Sequence, residues 1–257
     1  IAATVSEAAG ITERQEAVER RLRDWLPPAD RRPAVLSQAM RHAVLGGGKR
    51  LRPILCLAAA EAAGGDADAA WHPALAVELL HTYTLVHDDL PCMDNDILRR
   101  GQPTVWAKYG EANGVLAGDA LQTLAFALLA RMPAADPAIP ARLSRELADA
   151  AGADGIIGGQ IEDLACGGRA DADTIAYVHQ HKTADLFRAA TRMGAVAVRA
   201  DTATVDRLGD FGSHLGVAFQ IIDDILDAPG GVPAKPDELS CLHTLSVAEA
   251  REQAADR

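Results

Sequence analysis

Aromatic residues make up only 4% of this 257-residue chain, and runs of alternating β-branched residues are scarce. Sheets draw on both, so a β-rich fold is excluded. Ala and Leu dominate instead, the composition of an all-helical protein, and an apolar fraction of 49% can build a sizeable core. Cysteine is also sparse: Cys56, Cys92, Cys166 and Cys241 are dispersed with no C-x-x-C pair. That pattern excludes a disulfide framework and reads as reduced residues with packing roles. Basic residues are outnumbered, 25 Lys and Arg against 36 Asp and Glu, for a net charge of −11. Nucleic acid needs a broad basic face and is not an expected partner, although a local basic pocket remains compatible with this charge. No uninterrupted apolar run reaches the roughly 18 to 20 residues of a membrane span, and IAATVSEAAG has neither a basic n-region nor an h-region. A soluble, cytoplasmic protein without stable membrane insertion is expected. The lack of an initial Met suggests residues missing before Ile1. Internal repeats and low-complexity segments are lacking too, which points to one helical bundle over residues 1–257.

What the chain does have is concentrated between Glu78 and Thr104, ELLHTYTLVHDDLPCMDNDILRRGQPT. Asp88, Asp89, Asp94 and Asp96 fall within nine residues and repel one another unless a cation sits among them. Hard oxygen ligands suit Mg²⁺, which takes one or two carboxylates, keeps several waters and completes its shell on a phosphate. Arg99 and Arg100 come directly after, and the planar guanidinium fork matches a phosphate bidentately. Downstream, FQIIDDILD carries a second acidic set. At about 100° per residue, Asp223 and Asp227 stand about 40° apart on a helix, with Gln220 within about 60° of Asp223. Phe211, Leu215, Phe219, Ile222 and Leu226 form an apolar stripe beside them, so the carboxylates are expected to look inward along the core edge. Inward carboxylates cost several kcal/mol each unless paired or metal-bound.

Helical spacing from Ile11 to Trp25 ends at Pro27-Pro28, and a second helix over Ala34–Leu45 ends at Gly46-Gly47-Gly48. Lys49-Arg50-Leu51-Arg52 then precedes Pro53, placed to start a helix over Ile54–Ala63. Glycine-rich backbone beside three cations is a plausible anion seat, or else an exposed basic turn. A P-loop is excluded, because Arg50 stands where Ser or Thr would hold Mg²⁺. Residues 73–89 are apolar on every face, which marks a helix central to its bundle. His81, seven residues before Asp88, shares its face and is a candidate diphosphate donor. Further helices are expected over 113–132, 141–151 and 174–193, with Gln160 and Asp163 on one face of another. Lys182 counts as functional only if it faces the acidic sets.

Five segments in this order resemble the trans-isoprenyl diphosphate synthases of the polyprenyl synthetase family: GGKRLRP at 47–53, DDLPCMD at 88–94 with RRG at 99–101, GQIED at 159–163, KT at 182–183, and FQIIDDILD at 219–227. The resemblance, closest to bacterial farnesyl diphosphate synthases, spans roughly residues 35 to 228. It implies an antiparallel helix bundle around a large central cavity. It further implies head-to-tail condensation, in which an allylic diphosphate ionises, isopentenyl diphosphate attacks, and a proton is lost. Asp88, Asp94, Asp223 and Asp227 would hold three Mg²⁺ on the allylic diphosphate, with Arg99, Lys182 and Gln220 supporting it. Lys49, Arg52, His81 and Arg100 would seat isopentenyl diphosphate, and Thr183 and Gln220 would face the developing cation. Chain length would be set at Thr84 and Tyr83, and a ring at 83 with a two-residue insertion in the motif is similar to farnesyl-forming enzymes. A helix rise of 1.5 Å per residue places Tyr83 about 7 to 8 Å from Asp88 along the axis. A homodimer is implied as well.

The pattern departs from the family after Asp227, where a Gly-rich loop with a further lysine is usual. This chain has APGGVPAKPDELSCLHTL, with Glu238 near the expected lysine and Lys235 the nearest cation. The expectation is a loop and termini incompletely represented. Trp106 stands where His is common, a change expected to leave metal binding intact. Rival readings are a geranyl or geranylgeranyl diphosphate synthase, a terpene cyclase, which DDILD argues against, and a non-catalytic partner subunit, which would typically lose one aspartate motif.

Overall fold

The structure, a computed structural model, describes residues 2–134, 136–166, 170–228 and 239–257, with side chains from Gly10 onward. Lys235 and Glu238, and the loop expectation attached to them, lie outside the described residues. The described chain is helical apart from a two-residue hairpin, β1 (Leu98–Arg99) against β2 (Gln102–Pro103). In order come α1 (Ala2–Trp25), α2 (Ala34–Leu45), α3 (Leu51–Ala62), α4 (Trp71–Asp88), the hairpin, α5 (Val105–Tyr109) and α6 (Glu111–Ala130). Beyond them are α7 (Ala138–Ala151), α8 (Ile156–Cys166), α9 (Ala172–Val178), a π-helical turn at His179–Ala184, α10 (Asp185–Ala197), α11 (Thr202–Leu226) and α12 (Val247–Ala255).

Several boundaries differ from the expected ones, among them the starts of α1 at Ala2, α6 at Glu111 and α7 at Ala138, and two differences have a clear physical reason. Helix α3 begins at Leu51, not after Pro53, and Pro53, Pro73 and Pro140 all occupy the third position of their helices. Any first-turn position accepts proline, because its N–H would lack an intrahelical partner anyway. The helix expected over 174–193 is interrupted by the π turn, whose extra residue rotates α10 by about 100° relative to α9.

Helix α4 is the axis of the bundle. It touches α1, α2, α3, α6, α7 and α10, and Leu75, Val77, Leu79 and Leu80 are almost fully buried. The all-round apolar reading of residues 73–89 thus finds its structural counterpart. Contrary to the sequence expectation about spans, α6 is long and apolar enough to cross a membrane by length and composition. Asp119, Gln122 and Thr123 interrupt its apolar runs, so counting uninterrupted residues missed it. Here it packs against α2, α4, α5 and α7, and Leu121, Ala125, Leu128 and Leu129 are fully buried.

Helix α11 corrects a second expectation. Phe211, Ile222 and Leu226 are exposed, and the buried face is instead Gly209, Gly212, Gly216, Val217 and Ile221. Close approach explains the exchange: a Cβ on Gly216 would lie 2.5 Å from the Ala184 Cα. Small residues let α11 sit against α10 and the π turn, a packing that a purely hydrophobic periodicity does not reveal. The cysteines split as well: Cys56 and Cys241 are buried, whereas Cys92 is exposed and Cys166 half-buried, so packing roles fit only the first two.

Candidate active site

One face of α4 supplies Glu78, His81, Thr84, Leu85 and Asp88 to a cavity of 630 Å³. The segment from Gly48 to Arg52 enters from one side, Arg99 and Arg100 from the hairpin, Lys182 and Thr183 from the π turn, and Phe219, Gln220 and Asp223 from α11. Asp88 and Asp223 therefore share one cavity although 135 residues separate them (223 − 88). Asp94 and Asp227 are exposed and not among its lining residues. Each is within electrostatic reach of its inner partner, Asp94 of Asp88 and Lys182, Asp227 of Asp223.

Electrostatics follow from this placement. Burial pushes the Asp88 carboxyl up to about 6, with Asp94 and Asp89 adding to the rise against the pull of Lys182 and Arg99. Asp223 is raised for the same first reason, burial, and then by Asp227 and Asp224. Desolvation lowers the Lys182 ammonium, yet Asp163, at 2.5 Å, together with Asp88 and Asp94 more than offsets it. Its position opposite the first acidic set meets the condition set for its function. Arg52 is pulled down to about 10 by burial. Burial and four surrounding arginines drive His81 far below its usual value, so it is neutral, 3.1 Å from Arg52 Nη1.

The cationic side depends on backbone shape. Arg100 adopts a left-handed φ of 52° and donates to the Gly47 carbonyl. Gly48 holds a φ of 142°, which other residues rarely adopt, and a Cβ there would also stand 2.6 Å from the Arg100 guanidinium. Arg99 is held by buried Asp89, with Nε 2.8 Å and Nη2 2.6 Å from Oδ1. Lys49 lies 5.5 Å from the Phe219 ring centroid and Arg52 4.5 Å from that of Phe187, so each cation rests on an aromatic floor. Trp106, the departure from the usual His, donates to the Asp96 carbonyl at 2.9 Å and ties the acidic loop to α5.

Sequence reasoning missed three features. Arg50 borders the cavity but its guanidinium is committed within the protein: it is 2% exposed, bridges Glu19 at 2.5 Å and Glu78 at 2.6 Å, and donates to the Val44 carbonyl. A charged Glu78 inside an apolar helix was the available signal. His179 and Asp224 are both buried and lie 3.2 Å apart; an Asp on the inward side of a helix was again the signal. Burial alone would raise Asp224, but His179, the Cys241 backbone N–H and the Gln220 amide hold it below the usual carboxylate range. The chain-length pair divides. Thr84 lines the cavity, whereas Tyr83 does not: its ring is buried, edge-on to His87 at 5.5 Å. Successive helical residues diverge by about 100°, so both could not face the same wall.

Whether this set suits a magnesium diphosphate can be judged from its donors. Among the described residues no three His, Cys, Asp or Glu side chains converge on one point. The acids stand instead on two walls, and Mg²⁺ needs only one or two carboxylates when phosphate and water supply the rest. Among the described residues, Arg52 Nε and Gln160 Nε2 are buried donors without partners on residues that line the cavity, a placement that suits an anionic ligand. The residues fit the group.

An all-helical bundle with paired acidic walls and a cationic rim defines a class of proteins suited to carrying a diphosphate with its metal. The polyprenyl synthetase family model matches residues 33–236, and the chain belongs to that family. It is 46% identical over 201 residues to geranylgeranyl pyrophosphate synthase 7, chloroplastic, of Arabidopsis thaliana, covering 77% of this chain and 58% of that protein. The chain spans little more than half the length of several such curated relatives. Farnesyl diphosphate synthase of Geobacillus stearothermophilus is 40% identical over 260 residues, covering 95% of this chain and 86% of that one. The solved geranyltransferase of Helicobacter pylori, complexed with magnesium and isoprenyl diphosphate, superposes with a TM-score of 0.84 at 33% identity, covering 96% of this chain and 86% of that one.

Proposed function

We propose that this chain is a prenyltransferase that condenses isopentenyl diphosphate head-to-tail with dimethylallyl and geranyl diphosphate, giving farnesyl diphosphate. The observation that carries the reading is the shared cavity of Asp88 and Asp223, ringed by Lys49, Arg52, Arg99, Arg100 and Lys182. Asp88 and Asp94 on one wall and Asp223 and Asp227 on the other would hold Mg²⁺, three ions in the proposal, whose charge makes diphosphate a competent leaving group. Lys49, Arg52, His81 and Arg100 seat the isopentenyl diphosphate; Arg99 and Lys182 complete the allylic seat. His81, being neutral, donates a hydrogen bond without adding charge. Ionisation breaks the allylic C–O bond and leaves the cation against the oxygens of Thr183 and Gln220. Ile156, Leu186, Phe187 and Phe219 keep water from capturing it. The isopentenyl double bond attacks, and the departed diphosphate takes the released proton, so no protein base is assigned. A continuous core from α1 to α11 supports one domain over residues 1–257, and a homodimer belongs to the same proposal.

Farnesyl rather than geranylgeranyl product is the finer part of this reading, because relatives of both kinds match. Its support is the buried Tyr83 ring, one helical step from the cavity-lining Thr84 and edge-on to His87. Purified protein with Mg²⁺, labelled isopentenyl diphosphate and either allylic substrate should release diphosphate and yield a fifteen-carbon product by chromatography. Tyr83→Ala should lengthen it to twenty carbons. Absence of turnover on both substrates would overturn the synthase reading. A twenty-carbon product from the unaltered chain would overturn only the farnesyl assignment.

A further inference from the structure

The proposed chemistry uses Thr183 and Gln220 but leaves unexplained why Asp224, the middle carboxylate of DDILD, is turned away from the cavity and buried. Its side chain does not line the cavity, and the residue is 7% exposed. Its Oδ1 accepts from Gln220 Nε2 at 2.9 Å, and its Oδ2 accepts from the Cys241 backbone N–H at 2.7 Å. His179 Nε2 approaches Oδ2 to 3.2 Å without hydrogen-bond alignment. Gln220 Oε1 in turn accepts from the Thr183 hydroxyl at 2.8 Å.

A carboxylate can only accept, whereas a primary amide has one accepting and one donating end. With Asp224 on one side, the Gln220 amide has a single orientation: nitrogen toward Asp224, oxygen toward Thr183. The Thr183 hydroxyl hydrogen is then committed to that oxygen, and the lone pairs of Thr183 are what remain for the cavity. Both residues line the cavity. A reversed amide would present N–H to Thr183 and free the hydroxyl hydrogen to point inward, the wrong polarity beside a developing positive charge.

We propose that Asp224 is a positioning residue that sets the direction of the hydrogen-bond chain Thr183–Gln220–Asp224, so that oxygen lone pairs face the reacting carbon. This rests on reading the cavity as the site of allylic ionisation. The Cys241 N–H holds the carboxylate itself, and His179 lies 3.2 Å from it, so that the π turn, α11 and the segment before α12 meet at one buried point.

The test is a pair of variants with a readout independent of turnover. Asp224→Asn keeps the shape but lets the new amide donate to Gln220, which can then reverse. The kcat should fall by roughly thirtyfold or more, while KM for each diphosphate stays within about threefold, the signature of an interaction needed in the transition state. Adding Gln220→Glu restores the direction, since the amide introduced at position 224 can donate to the carboxylate introduced at position 220, which again accepts from Thr183. That double variant should recover to within roughly tenfold of the unaltered kcat. A role confined to anchoring the Cys241 segment would lower the melting temperature of both variants alike and give no such recovery. Unchanged kcat in Asp224→Asn, or a double variant no better than the single, would overturn the proposal. Independently, the Gln220 side-chain amide resonance, identified by its loss in Gln220→Glu, should be protected from solvent exchange in the unaltered protein and should shift in Asp224→Asn as its acceptor changes from a carboxylate to the Thr183 hydroxyl. An unprotected resonance in the unaltered protein would overturn the positioning role even if the chain turned over neither substrate, a result that would separately remove the proposed function.

Discussion

Asp88→Asn is expected to lower kcat by roughly a thousandfold or more, since removing even one donor that stabilises a leaving group's charge costs about 10²–10³, and Asp88 anchors one whole wall. Asp223→Asn should do the same from the other wall. The same Asp88→Asn change is expected to raise the melting temperature of metal-free protein at pH 8, because burial disfavours the carboxylate it removes. The folded-state pKa of Asp88 is about 6, above the unfolded value of about 3.9, so the folded chain binds this proton more tightly. Its favourable contribution is present below about pH 4 and is lost as pH rises through about 6. Activity at subsaturating Mg²⁺ runs the other way and should fall on acidification, since protons compete with the metal for the Asp88 carboxylate. Melting curves between pH 4 and 8 with chelator, beside activity profiles, check both signs. Equal melting curves for the unaltered and Asp88→Asn proteins at pH 8 would contradict the burial argument.

Arg50→Met should be strongly destabilising. Arg50 and Glu78 side chains are 1% and 3% exposed, and removal of the guanidinium leaves Glu78 buried without its ion-pair partner, its charge offset only through Arg52 and Arg100. Breaking such a pair costs about 3–5 kcal/mol, and for a chain of this size each kcal/mol shifts Tm by about 2–4 °C. A fall of roughly 10 °C is expected, read by calorimetry. Arg50 also carries a left-handed φ of 51° that its ion pairs must sustain. The double variant Arg50→Met/Glu78→Met should recover much of the loss, since a packed apolar pair can replace a buried ion pair. Recovery in melting temperature need not restore activity, because Glu78 also lines the cavity. If the double variant melts no higher than the single, the pair is not what holds this junction.

Much of the architecture was legible because periodicity reports burial. Helix α2 lies where helical spacing and the three glycines placed it, and α4 is central because apolar residues occur all round it. Asp88 and Asp223 were legible as cavity residues, whereas Asp227, expected to look inward beside Asp223, is exposed at the end of α11. What periodicity could not reveal depends on tertiary approach. The glycine face of α11 displaced its apolar stripe to the surface, as a count of hydrophobic residues could not anticipate. No local residue type announces the π turn that carries Lys182 and Thr183 to the cavity. Arg50 looked like its neighbours Lys49 and Arg52, and only three-dimensional placement separates a buried clamp from a ligand seat. Tyr83 and Thr84 shared one expectation, and the helical step between them sends one to the wall and the other behind it.

The joint ownership of one ligand by two distant acidic walls is tested most directly by titrating inorganic pyrophosphate into the protein with Mg²⁺ present, following the heat. The unaltered chain should bind in a strictly Mg²⁺-dependent manner, and Asp88→Asn and Asp223→Asn should each abolish that binding while remaining folded. Undiminished binding in either folded variant would mean that its wall does not hold the ligand.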